Sequence, residues 1–145
     1  MSRLIGLDHG SRRIGVAVGD TETGMAFARP AIRRRRLLAD VAAVEALFTS
    51  EAAETVVIGL PINMDGSEGD QAASARRFGE RLVARGMAIA YEDERLSSWE
   101  AGERLSAAGR RPRRESGDLD STAARVILQQ YLDARAGHQS PEETE

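Results

Sequence analysis

At 145 residues, with 41% apolar and 30% charged residues, the chain has room for one domain with a real core but not for two lobes. It contains no cysteine, which excludes disulfides and thiolate metal sites and leaves oxygen donors as the default for any ion. No apolar run approaches the roughly 18 residues of a membrane span and no secretory pattern opens the chain, so a cytoplasmic protein without a membrane partner is expected.

All 20 basic residues are arginine, against 23 acids. Glu142, Glu143 and Glu145 lie in the C-terminal tail, so residues 1–137 are neutral overall and nucleic-acid binding would have to come from local patches. Two such patches exist: Arg33 to Arg36, and Arg110, Arg111, Arg113 and Arg114. A planar guanidinium suits bidentate phosphate contacts. The competing reading is a solvated face on which arginine stands in for lysine, and for Arg33 to Arg36 the sequence does not choose.

The first elements are two apolar runs, Leu4 to Leu7 and Ile14 to Val18, joined by a short segment containing Gly10 and Ser11. They predict an antiparallel hairpin whose first strand is deeply buried, because its apolar residues do not alternate cleanly. Each run ends on an acid, Asp8 and Asp20. A strand-like segment follows from Met25 to Ile32, and Pro30 confines it to a sheet edge or a strand end. The arginine run leads into an amphipathic helix with Leu37, Val41, Val44 and Phe48 on one face. Thr55 to Leu60 is a compact buried strand, and strand–helix–strand at this separation predicts a parallel crossover.

Residues 59–71 form a long polar loop at the carboxyl end of that strand, where parallel sheets bind ligands. Ser67 with Asp70 resembles a helix cap, and the helix beyond it buries Ala75, Phe78 and Leu82. Met87 to Tyr91 reads as the last strand and runs into Glu92, Asp93, Glu94 and Arg95. Ser97 to Glu100 is a capping box opening a helix that ends near Gly109, followed by a charged loop to Gly117. Asp120 opens an amphipathic helix with Ala124, Ile127, Leu128, Tyr131 and Leu132 facing inward. These elements predict an α/β fold, a mixed sheet of about five strands flanked by helices. Residues 1–137 are expected to form a single domain, and 138–145 a disordered acidic tail.

Three acids stand out for chemistry. Asp8 ends the first strand, Glu94 ends the last strand and Asp120 starts the last helix. With the first strand central and the last strand at its side, all three would meet at one rim. Clustered carboxylates repel unless a cation neutralises them, and hard oxygen ligands suit Mg²⁺ or Mn²⁺. Two such ions could activate a water and stabilise the leaving oxygen of a phosphodiester. Asp120 alone could be a helix-start residue and Glu94 alone a surface ion-pair partner. Asp8 is harder to dismiss, because a β-rich strand gains nothing from an acid. Asp20, Asp65, Glu68 and Asp93 read as turn or loop acids, His9 as a weak candidate and Trp99 as packing.

The segment Gly6 to Val18 resembles the opening of the YqgF/RuvX family of RNase H-like nucleases. Gly59 to Glu68, Asp93 to Ser98 and Asp120 to Gln129 match the other blocks of that family in the same order, covering Arg3 to about Ala134. The resemblance implies a ribonuclease H-like fold with Asp8, Glu94 and Asp120 on the family's acidic positions. It also implies that Arg12, Arg13, Arg95 and the Asn63 to Glu68 loop lie near the substrate backbone. The family is linked to maturation of the 5′ end of the 16S rRNA precursor, and was earlier described as a Holliday junction resolvase. This chain departs from the family pattern at His9, where an aromatic or aliphatic residue is commoner, and at Gly19, where Ser is usual.

The expectation is a metal-dependent nuclease acting on structured RNA as a monomer or homodimer, with Arg12, Arg13, Asn63, Arg95 and the Arg110 to Arg114 loop at the substrate. Branched DNA is the alternative substrate and would favour a symmetric dimer. A binding module without catalysis would gain nothing from three clustered carboxylates. An ATPase of the actin and sugar-kinase type needs two lobes.

Overall fold

The computed structural model describes the backbone of residues 2–94 and 118–143, and side chains across 2–94 and 121–135. The elements run β1 (Arg3–His9), β2 (Arg13–Asp20), β3 (Ala26–Arg33), α1 (Leu37–Ser50), β4 (Thr55–Leu60), α2 (Asp70–Ala84), β5 (Ala88–Asp93) and α3 (Asp118–Glu143). The expected helix near 97–109 and the loop at 110–117 lie outside the described residues. Helix α3 continues through 138–143, the stretch for which the sequence predicts a disordered tail.

The five strands form one mixed sheet in the order β3-β2-β1-β4-β5. β1 is central, which is what an unbroken apolar strand requires. It pairs antiparallel with β2 through the hairpin and parallel with β4. β3 is an edge strand, as Pro30 demands. Val16 stands opposite Arg29 and Ile14 opposite Ile32, so Pro30 and Ala31 bulge out across from Gly15. The sequence sets the last strand beside the first; in the structure β4 lies between them and β5 forms the far edge. Parallel neighbours are selected by how their crossover helices pack, and no local pattern in β5 records that choice.

Alternation along the strands divides the core between the two faces. Ile5, Leu7, Val56 and Ile58 point toward α1 and α2, where Val41, Val44, Phe78 and Leu82 complete a cluster. Leu4, Ala17 and Val57 point the other way, under Ala124, Ile127, Leu128 and Leu132 of α3. The helix periodicities predicted for α1, α2 and α3 face the sheet accordingly, with Tyr131 at the margin of the second cluster. No helix among the described residues is long and apolar enough to cross a membrane.

Helix α3 sits close to β1 because residue 6 has no side chain. A Cβ there would lie 2.7 Å from Leu128 Cβ and 3.0 Å from the Ala124 carbonyl oxygen. Gly6→Ala must therefore push α3 off the sheet, and overpacking of this kind costs about 1–3 kcal/mol. Urea unfolding should show a lower midpoint with an unchanged slope; an unchanged midpoint would mean that α3 adjusts freely.

Candidate active site

β1, β4 and β5 run parallel, so their carboxyl ends share one rim of the sheet. Even-numbered residues of β1 face α3, and that alternation puts Asp8 on the same face as Leu4 and Gly6. Glu94 follows directly on β5. Although β4 intervenes, Glu94 reaches Asp8 because Gly59 leaves the space between them open. A Cβ on Gly59 would lie 3.1 Å from Glu94 Cγ and 3.3 Å from its Cδ.

Glu94 is mostly buried, and its protonated carboxyl donates a hydrogen bond to Asp8. Burial first, then that hydrogen bond and the like charge of Asp8, raise its pKa from the ordinary 4.5 to about 8. Two carboxyl groups thus meet at the sheet rim, with Glu94 favouring its protonated form. They supply hard oxygen donors of the kind Mg²⁺ or Mn²⁺ prefers, and an ion seated there would displace the proton.

Asp120 lies in the first described turn of α3. Ala124 and Leu128 cover Gly6, so one turn earlier on α3 runs toward the Asp8 end of β1. The side chain of Asp120 lies outside the described residues. Among the described residues no group of three His, Cys, Asp or Glu side chains converges as a metal site. Asp20 is at the opposite end of the hairpin, paired in register with Arg3. Hydrogen bonding from the Thr23 N–H holds its carboxyl below the usual range, which fits the turn role its position predicts.

A cavity of about 240 Å³ opens on Asp8 and Glu94. Asp70, Gln71 and Ser74 of α2 line it as well, a placement that no sequence signal reveals, since Asp70 reads as part of a helix cap. In the structure the N-cap of α2 is Gly69 without a side-chain cap bond, and Ser67 Oγ instead donates to Asp65 at 2.6 Å. A larger cavity of about 670 Å³ lies between Glu94 and the loop after β4, with Asn63 and Pro61 in its wall. Asn63 Nδ2 donates to Ser67 Oγ at 3.1 Å, which keeps that loop folded on itself. Glu68 is held by both arms of Arg76, at 2.7 and 2.8 Å, and so behaves as the loop acid it resembles.

Arg12 and Arg13 line a cavity of about 690 Å³ next to the hairpin turn, which shares Ser11 and Arg34 with the cavity at Asp8 and Glu94. Arg95, Arg110, Arg111, Arg113 and Arg114 lie outside the described residues. His9 packs its ring 4.9 Å from that of Phe78, with Nε2 buried and unpartnered. Burial, reinforced by the charge of Arg34, lowers its pKa to about 4, so the ring is neutral near pH 7. Asp40 was not singled out by sequence, yet it is only 2% exposed. It shares the inward face of α1 with Val41 and Val44, and that position was the available signal.

A family model described as "RuvX: Holliday junction resolvase" matches residues 2–134. A protein of Synechococcus elongatus named "Putative pre-16S rRNA nuclease" is 48% identical over 134 residues, covering 89% of this chain and 87% of its own length. One of the same name from Anaeromyxobacter dehalogenans is 44% identical over 135 residues, covering 92% and 98%. Among solved structures, Thermus thermophilus RuvC in complex with Holliday junction substrate aligns with a TM-score of 0.56 over 94% of this chain and 97% of that one. At 14% identity the likeness is one of fold, and the sheet flanked by helices is accordingly RNase H-like.

The raised pKa of Glu94 makes stability depend on pH. Between pH 4.5 and about 8 the folded chain keeps a proton on Glu94 that the unfolded chain has released. The stability this contributes is complete below pH 4.5 and is lost as pH rises through about 8. Without divalent ions, the melting temperature of wild type relative to Glu94→Gln should fall steadily across that window. His9 titrates in both proteins and cancels from the difference. A difference that stays flat would place the proton elsewhere.

Proposed function

The chain belongs to the RuvX family, and from that membership together with the carboxyl pair we propose that it is a metal-dependent nuclease hydrolysing phosphodiester bonds of structured nucleic acid. The relatives' names favour pre-16S rRNA as substrate, and the family resemblance its 5′ end, which would place the chain in ribosome biogenesis in the cytoplasm. The family description favours branched DNA, the second reading. The observation that carries the nuclease reading is the meeting of Asp8 and Glu94 in one cavity at the carboxyl rim of the parallel strands. Among the described residues, the groups that set the pKa of Glu94 are its own burial and Asp8.

Asp8, Glu94 and Asp120 would hold Mg²⁺ or Mn²⁺, with Asp120 assigned through its match to the family's acidic position. Bound there, one or two ions would activate a water and neutralise charge on the leaving oxygen. The chain's own contribution is positioning. Asp8 and Glu94 would hold the cation, Glu94 releasing its proton to solvent on binding it. Gly59 keeps the gap between strands open so that Glu94 can reach Asp8. Arg12, Arg13, Asn63, Arg95 and the Arg110 to Arg114 loop would hold phosphates, contacts that orient a strand without reading its sequence. Residues 1–137 would act as one nuclease domain.

The test sets pre-16S rRNA and a four-way DNA junction side by side, with wild type and Asp8→Asn in Mg²⁺, Mn²⁺ or EDTA. Wild type should cut the RNA only with metal, and Asp8→Asn should lose about a thousandfold in rate, the several kcal/mol that a bound ion supplies. Cutting confined to the junction would select the DNA reading. Equal binding by both proteins with no cutting under any metal would replace the nuclease by a binding module.

A further inference from the structure

The run Arg33 to Arg36, whose role the sequence leaves open, is gathered by the fold against the hairpin turn. Arg33 pairs in register with Arg13 across β2 and β3, and the Arg34 N–H donates to the Arg12 carbonyl at 2.9 Å. The result is a cavity of about 690 Å³ lined by Ser11, Arg12, Arg13, Arg33, Arg34 and Arg35. Among the described residues no carboxylate contributes to its wall.

Such a concentration of like charge opposes folding, and composition does not force it on a chain with 23 acids. Other described acids are committed to arginines outside the cleft. Glu51 pairs with Arg3 and Arg29, Glu45 with Arg85, and Glu68 with Arg76. Asp40 serves the run differently. One oxygen accepts from the Arg35 N–H at 3.0 Å and the other lies 3.6 Å from Arg34 Nε. Buried beneath, it fixes the backbone of the loop and leaves the outward guanidinium groups uncompensated. Arg34 is tethered further by donation to the Gly10 carbonyl at 3.1 Å. The side chains of Arg12, Arg33 and Arg35 form no ion pair with any described residue.

This cleft is continuous with the carboxyl pair. Ser11 and Arg34 line it and also line the cavity of about 240 Å³ that opens on Asp8 and Glu94. A chain of regularly spaced single negative charges could therefore pass from one to the other.

We propose that the arginine cleft binds the phosphodiester backbone of the substrate strand flanking the bond at Asp8 and Glu94, with Arg33 and Arg35 as direct phosphate contacts and Arg34 as their anchor. The ligand class rests on the nuclease reading; the cleft does not. Guanidinium forks match phosphate oxygens, and a row of them along one wall orients a strand irrespective of its bases.

The test measures binding of a single-stranded RNA oligomer to Asp8→Asn protein by fluorescence anisotropy over a range of salt. Adding Arg33→Ala and Arg35→Ala should weaken binding on the order of tenfold or more and lower the slope of log affinity against log salt by about 1.4, roughly 0.7 for each guanidinium removed. Arg33→Lys with Arg35→Lys should retain most of the slope, and Arg135→Ala on α3 should leave it unchanged. An unaltered slope in the double alanine variant, with melting temperature preserved, overturns the proposal. Loss of binding to a polyglutamate peptide but not to RNA overturns it too, in favour of an acidic protein partner. If no protein cuts any substrate and the slope still falls, the cleft stands and the nuclease reading fails. Cutting by wild type with an unaltered slope gives the reverse.

Discussion

The contact between Asp8 and Glu94 is the constraint on which the site depends. Two partly buried carboxyl groups meet across an intervening strand, and the meeting raises the pKa of Glu94. Several independent features have to coincide for that. β1 must be central, its alternation must put Asp8 on the α3 face, and β4 must offer a residue without a side chain near its end. A single-residue slip in the register of β4 would swing Val57 off that face and set a branched residue in the gap. Gly6 makes a matching concession two residues earlier on β1, admitting α3 so close that the helix start is carried toward Asp8.

Much of this frame was legible, because local chemistry dictates it. The apolar run of Leu4 to Leu7 announced a deeply buried strand, Pro30 announced an edge or a strand end, and helix periodicity named the residues that pack on the sheet. Strand order was not legible. Whether β5 settles beside β1 or beyond β4 depends on the summed packing of helices on both faces, and residues 88–93 look the same in either case. The insertion of β4 explains why Gly59 matters at all, a role visible only once the strands are placed.

The site's lining shows a different limit. Asp70 sits where a helix start wants an acid, so its local role hides its position over the cavity shared by Asp8 and Glu94. Asp40 is the converse case. An acid on the buried face of α1 breaks the apolar pattern, and the break signalled a partner that only the fold could supply: the backbone of Arg35 and the guanidinium of Arg34. His9 follows neither pattern. Its ring fills space beside Phe78 as an aromatic residue would, while an unpartnered nitrogen remains inside.

The allocation of Arg34 ties the acidic and basic halves of the site together. It borders the same cavity as the carboxyl pair, and a guanidinium in ion-pair contact with Glu94 would have held that acid's pKa down. Instead burial and Asp8 drive it up to about 8, and Arg34 is not among the causes. Asp40 and the Gly10 carbonyl engage Arg34, so the carboxyl pair and the arginine cleft stand side by side without neutralising each other. Neutralising Glu94 internally would spend both. Keeping them apart leaves a place for a small cation on one side and for a polyanion on the other, and a phosphodiester spanning the two satisfies each at once.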